Sequence, residues 1–175
     1  MTYDLMNRRD NVTKHHSSVV DSAHTIDLYI ERGFNASKLI LGFPFYAKFF
    51  TTKEGATCSA PTGCPAAVME GADGSDLNLS GALTFEVENY NNTEFLNALK
   101  NGKEDTEKGG QWYWDASTKK YWTWDTPELI ARKFKDIVEA KRLGGVMAWS
   151  MAQDSHDWSH LKAMQTGVKA LSKYD

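Results

Sequence analysis

Val146-Met147-Ala148-Trp149 is an apolar run too short for a helix, bounded by Gly144-Gly145 before it and Ser150 after it. Such a run reads as a buried strand of a parallel sheet. Side chains at the carboxyl ends of these strands face the ligand side, so Trp149 is placed to floor a pocket. The competing reading is that Trp149 is core, as most large aromatics are. At the other end of the chain, Tyr3-Asp4 closes a short strand-like start and sets a phenol beside a carboxylate. A pair of this kind can orient a polar ligand or simply hydrogen-bond a loop. Trp112, Tyr113, Trp114, Tyr121, Trp122 and Trp124 make a third concentration. Alternation puts Trp112 and Trp114 on one face and Tyr113 on the other.

Other chemistries find little support. His156 and His160 stand four apart with Asp154 near, but zinc needs three or four ligands and no H-E-x-x-H is present. Both histidines are expected at the surface near a helix start, and His15-His16 is expected to be solvated. No metal site is expected. No G-x-S-x-G, P-loop or G-x-G-x-x-G occurs, which removes serine-hydrolase and nucleotide classes. A net charge of −3 gives no broad positive field for nucleic acid. No apolar run approaches the length of a membrane span. Cys58 and Cys64 flank a Pro- and Gly-containing turn, and are either a small disulfide or two free thiols. With sequons at Asn11, Asn35, Asn78 and Asn91, they tilt the reading toward an extracellular parent protein, although no signal peptide is visible.

The elements that must position these residues follow from periodicity. Residues 1–5 read as a strand. Ser17 or Ser18 caps a helix with Val20, Ala23, Ile26, Tyr29 and Ile30 inward and Gly33 as its stop. Leu39–Phe43 is the next strand, and strand–helix–strand order signals a parallel sheet. From Lys48 to Trp124 the pattern breaks. Leu83–Val87 alternates like a strand, Thr93–Leu99 suits a short helix, and Gln111–Asp115 with Lys120–Trp124 reads as a hairpin. Thr126 as N-cap and Pro127 at N1 then open a helix whose stripe is Ile130, Phe134, Ile137 and Val138. A last helix starts at Asp157 or Ser159, with Leu161, Met164, Val168 and Leu171 inward.

Three segments together resemble glycoside hydrolase family 18, the chitinase family, and its fungal secreted members above all. Met1-Thr2-Tyr3-Asp4 is similar to that family's sixth-strand motif, Leu39–Tyr46 to its seventh strand and Leu143–Asp154 to its last. The resemblance implies an α/β fold: a partial (β/α)8 TIM barrel, the last three βα units, with an inserted small α+β subdomain. Residues 1–47 would hold the sixth and seventh strands, 48–124 the insertion, and 125–175 the last barrel helix, the eighth strand and a terminal helix. It further implies that Tyr3 positions the substrate's acetamido group, that Asp4 contacts substrate hydroxyls, and that Met1, Tyr46 and Trp149 line the sugar site. Lys48 stands where many relatives carry Arg, and lacks the planar fork for a bidentate contact. The aromatic hairpin would stack sugar rings along the cleft or serve as core.

The implied activity is hydrolysis of β-1,4-linked N-acetylglucosamine polymers by substrate assistance, with no cofactor. In this family the sugar's own acetamido oxygen replaces the usual carboxylate nucleophile. The family's proton donor lies in an Asp-x-x-Asp-x-Asp-x-Glu motif, and that motif does not occur here; the nearest acidic cluster, Asp73 with Asp76, lacks the spacing. The sequence thus supports either the C-terminal part of a chitinase or a chitooligosaccharide-binding relative that does not cut. About three βα units where a closed barrel needs eight point to a fragment, with the missing N-terminal barrel half as a partner. The start at Met1, inside a strand-like stretch, favours truncation. Chitin or N-acetylglucosamine oligosaccharides are the expected ligands, and neither nucleic acid nor membrane is an expected partner.

Overall fold

A computed structural model describes residues 1–171. Helix α1 (Val19–Glu31) starts at Ser18, whose hydroxyl accepts the Asp21 N–H at 3.0 Å. A hydroxyl N-cap of this kind is worth about 1 kcal/mol. The next strand, β1 (Ile40–Pro44), leads within one residue into β2 (Tyr46–Thr51). After a long loop come β3 (Ser80–Thr84), α2 (Thr93–Asn101), β4 (Lys103–Asp105), β5 (Gly110–Asp115) and β6 (Lys120–Trp124). Helix α3 (Pro127–Lys133) is capped by Thr126 and continues as a π-helical turn over Phe134–Glu139. Strand β7 (Gly145–Trp149) and helix α4 (Ser159–Leu171) complete the described chain.

Two sheets result. β1 and β7 pair in parallel, in the register Gly42 to Met147 and Pro44 to Trp149. The other sheet is antiparallel, in the order β3-β2-β6-β5-β4. Helices cover the outer face of the parallel pair. Leu41, Phe43, Ile26, Ile130, Phe134, Ile137 and Met164 share one apolar cluster there, with Phe43 stacked on Phe134 at 5.5 Å. The antiparallel sheet is covered on both faces, as alternation requires. Trp122, Trp124 and Ala47 pack against Phe95 and Ala98 of α2, while Phe50, Trp112 and Tyr121 pack against Met6 and Met69. The hairpin aromatics are therefore mainly core, with Tyr113 and Trp114 half-buried at its margins. Cys58 and Cys64 are joined by a disulfide, with Cα atoms 5.4 Å apart.

Several expectations need correction. Residues 1–5 form no strand. Thr2 Oγ1 donates to the Gly42 carbonyl at 2.8 Å, but Asp4 has φ +57° and turns the chain away before a ladder can form. In α1, Val20, Tyr29 and Ile30 are exposed, and the buried face is Val19, Ser22 and Ile26. The first-turn N–H groups of Val19 and Val20 donate to the carbonyls of Gly109 and Lys108, and this anchoring sets the helix's rotation. The expected strand over Leu83–Val87 ends at Thr84, because Phe85 N–H donates instead to the Gln153 carbonyl. In α4, Met164 faces inward but Val168 is 46% exposed. No helix among the described residues is long and apolar enough to cross a membrane.

Candidate functional site

The carboxyl ends of β1 and β7 gather the residues singled out from the sequence. Gly42 makes this possible. A Cβ built there would lie 2.9 Å from Tyr3 Cε1 and 3.3 Å from Met147 Sδ, so only hydrogen leaves room for both side chains. Tyr3 thus packs against β1 with its hydroxyl 4.0 Å from Met147 Sδ. Alternation along β7 puts Trp149 on the same face as Met147. Trp149 is 53% exposed, so it is not core, and its carbonyl accepts the Phe45 N–H at 2.9 Å. Met1 lies beside Gly42 and is 82% exposed.

Tyr46, the first residue of β2, closes the other side. Its ring meets Tyr3 edge-on at 6.1 Å, and its hydroxyl donates to Asp4 Oδ1 at 2.9 Å. Lys48 Nζ reaches the same oxygen at 3.1 Å. Lys48 therefore serves here as a point charge on Asp4, a role that needs no guanidinium fork. Burial, then the Asp4 charge, pushes the Tyr3 phenol up, and the same two causes push Tyr46 further. Both phenols remain hydrogen-bond donors at neutral pH. Tyr3, Asp4, Tyr46 and Lys48 come together, and Tyr3 reaches Met147 on the strand that ends in Trp149; the Cys58–Cys64 disulfide lies in a separate loop.

Beneath this cluster lies a polar layer that the sequence did not announce. His15 and His16, expected in solvent, are both buried. His15 Nε2 lies 3.0 Å from Asp105 Oδ2, and its Nδ1 lies 3.3 Å from Thr123 Oγ1. Burial first, outweighing the Asp105 contacts, holds the His15 imidazole below its usual range. The His16 ring sits 5.4 Å from the Tyr46 ring and has no hydrogen-bond partner at either nitrogen. Burial, with Lys48, Lys133 and His15 nearby, holds its pKa well below that of an exposed imidazole. Leaving such a donor unmatched costs about 1–3 kcal/mol. Lys133 is fully buried and donates to Asp125 Oδ2 at 2.5 Å, Ser17 Oγ at 2.7 Å and the Ser17 carbonyl at 2.9 Å. All three ammonium protons are thereby used. Burial pushes the Asp125 carboxyl up and the Lys133 ammonium down.

His160, expected at the surface, is buried as well. Its Nδ1 lies 2.7 Å from Asp154 Oδ1, and its Nε2 lies 3.2 Å from the Asp125 carbonyl. Asp154 also accepts the Leu161 N–H at 2.9 Å. Burial alone would raise the Asp154 carboxyl, but the His160 and Leu161 bonds win and lower it. The Asp154–His160 pair therefore fixes the start of α4. His156 is the member left near the surface, paired with the Tyr90 hydroxyl at 3.1 Å. Among the described residues no group of three or more His, Cys, Asp and Glu side chains could hold a metal ion.

The family model for glycosyl hydrolases family 18 matches residues 1–154. Chitinase 1 of Aphanocladium album is 26% identical over 160 residues, which cover 85% of this chain and 34% of that protein. A mutant of Ostrinia furnacalis Group II chitinase catalytic domain 2, solved in complex with (NAG)5, superposes with a TM-score of 0.74 at 24% identity, covering 97% of this chain and 47% of that one. Human YKL-39, described as a pseudo-chitinase with retained chitooligosaccharide binding properties, superposes with a TM-score of 0.73 at 18% identity, covering 97% and 49%. The chain thus spans about a third of the curated relative and about half of each solved neighbour.

Proposed function

The chain belongs to the glycosyl hydrolases family 18, and on that premise we propose that it forms the substrate-positioning side of a chitinase-type cleft for β-1,4-linked N-acetylglucosamine oligomers. One observation carries this reading: Asp4, Tyr46 and Lys48 form one hydrogen-bonded cluster, with the Tyr3 ring edge-on to Tyr46 and its hydroxyl against Met147 on the strand that ends in exposed Trp149. In substrate-assisted hydrolysis the acetamido carbonyl oxygen bonds to the anomeric carbon as the glycosidic oxygen leaves with a proton. The chain's own share is to hold the sugar. Tyr3 donates to the acetamido oxygen and keeps it in line, Asp4 accepts from sugar hydroxyls, and Trp149 gives a flat apolar face under the ring. Met1, Tyr46 and Lys48 border that site. Fixing reacting groups in this way can supply several kcal/mol of the barrier.

The proton donor is a separate matter. The Asp-x-x-Asp-x-Asp-x-Glu stretch is absent from these 175 residues. Asp4 already accepts from Tyr46 and Lys48, which suits it to binding rather than proton delivery. Loss of a general acid typically costs about 10²–10⁴-fold. Cleavage is therefore assigned to this side joined to the other half of a barrel, which would supply the glutamate. That half is the proposed protein partner. A second reading, a non-hydrolytic chitooligosaccharide-binding protein, is favoured by the same missing stretch. The Cys58–Cys64 disulfide supports an oxidising, extracellular setting for the parent protein.

The test is calorimetric titration with tetra-N-acetylchitotetraose, alongside an assay for released sugar. Binding without product is expected from this chain, and Trp149→Ala should weaken it about tenfold by removing the stacking face. An affinity unchanged by that substitution would sink the assignment. Product release by this chain alone would overturn the division of labour.

A further inference from the structure

His16 is a fully buried ring behind the sugar cluster that the proposed chemistry leaves without a task. Its backbone carbonyl accepts the Leu5 N–H at 3.0 Å, which ties it to the turn carrying Asp4. The ring packs on Tyr46 with centroids 5.4 Å apart. Its Nδ1 stands 3.9 Å from Asp4 Oδ1, beyond hydrogen-bond reach, and both ring nitrogens lack partners. A neutral imidazole always carries one N–H, and a buried N–H is almost always paired. Of the charged groups near this ring, the Asp4 carboxylate is the acceptor placed 3.9 Å from Nδ1, whereas Lys48 and Lys133 offer only donors.

Two donors and one unpaired ring nitrogen consequently surround one oxygen. Tyr46 and Lys48 are already bonded to Asp4 Oδ1, and His16 waits about one ångström short of it. A sugar hydroxyl that bonds to Asp4 competes with Tyr46 and Lys48 for the same lone pairs, and leaves the carboxylate free to turn toward the ring.

We propose that His16 is a positioning residue for Asp4: its Nδ1–H donates to the Asp4 carboxylate once an N-acetylglucosamine oligomer occupies the cleft, and so fixes the carboxylate in its sugar-binding orientation. This deepens the proposed function and rests on it. His16 does not touch the sugar; it acts through Asp4. No bond is made or broken and no proton changes owner.

The experiment uses the full chain with imidazole nitrogens labelled by nitrogen-15, titrated with tetra-N-acetylchitotetraose. His16 is expected to stay neutral with Nδ1 protonated, and its Nδ1 resonance to move on saturation. Asp4→Asn should abolish that movement. His16→Phe keeps the packing on Tyr46 but removes the donor, and should weaken calorimetric affinity about tenfold. His16→Gln keeps a donor and should stay within about threefold of the parent. A free chain with the proton on Nε2 overturns the inference, and so does a His16→Phe variant that binds as the parent does. These results differ from failure of the functional reading itself, in which the parent chain would bind no oligosaccharide. In that event the His16–Asp4 contact is judged by whether Asp4→Asn shifts the Nδ1 resonance of the free protein, and an unchanged resonance counts against it. Should His16→Phe fail to fold, the comparison of His16→Gln with Asp4→Asn decides.

Discussion

Buried imidazoles should make this protein less stable in mild acid. His15 and His16 both have folded-state pKa values below those of exposed histidine. The unfolded chain, with imidazoles near pH 6.5, takes up protons that the folded chain refuses. Their contribution to stability is thus present above about pH 6.5 and is lost as pH falls from there toward the folded-state values. The urea midpoint should drop between about pH 7 and pH 5. His16→Gln should flatten that slope; an identical slope would show that His16 is not the refusing group. Depressed carboxylates such as Asp105 and Asp154 act later, with stability present above about pH 4 and lost below it.

At the level of elements, the site depends on how closely one strand can be approached. β1 offers Gly42 at the point where Tyr3 and Met147 both press in. Gly42→Ala would put a methyl 2.9 Å from Tyr3 Cε1 and 3.2 Å from the Met1 Cα, so the Tyr3 ring must shift. Overpacking of this sort costs about 1–3 kcal/mol. The expected outcome is a modest fall in melting temperature with a larger fall in oligosaccharide affinity, because the displaced group is Tyr3. An affinity loss no greater than the stability loss explains would mean that Tyr3 is not a sugar ligand. The short β1–β2 link also matters. Only Phe45 separates β1, against which Tyr3 packs, from β2, which brings Tyr46 and Lys48.

Across the whole molecule, the two sheets are unequally finished. The antiparallel sheet has both faces packed, whereas every residue of β7 is at least partly exposed, as are Met1 and Ile40 beside it. Parallel strands are ordinarily buried on both faces. The solved neighbours are about twice the length of this chain, and we propose that the rest of such a barrel covers that surface. Co-expression with the N-terminal half of a family 18 barrel should raise the melting temperature, protect Trp149 from quenchers and yield sugar release. A co-expressed half that leaves tryptophan accessibility and activity unchanged would argue against complementation.

The sequence alone determined the elements whose periodicity is local: a Ser17 or Ser18 cap and the Thr126 cap, the Gln111–Trp124 hairpin, the apolar run ending at Trp149. It also carried the family, because Met1–Asp4, Leu39–Tyr46 and Leu143–Asp154 keep their residue types in order. Only the tertiary structure decided what distance in the chain conceals. His15, His16 and His160 look like solvated polar residues until the folded chain closes over them, since burial is set by neighbours from other elements, such as Asp105, 90 positions from His15. Residues 1–5 have the composition of a strand, yet a positive φ at Asp4 and side-chain bonds to β1 make them an arm that delivers Tyr3. Pattern reports what a segment prefers; packing decides which of its groups meet water, and that decides their charge and their chemistry.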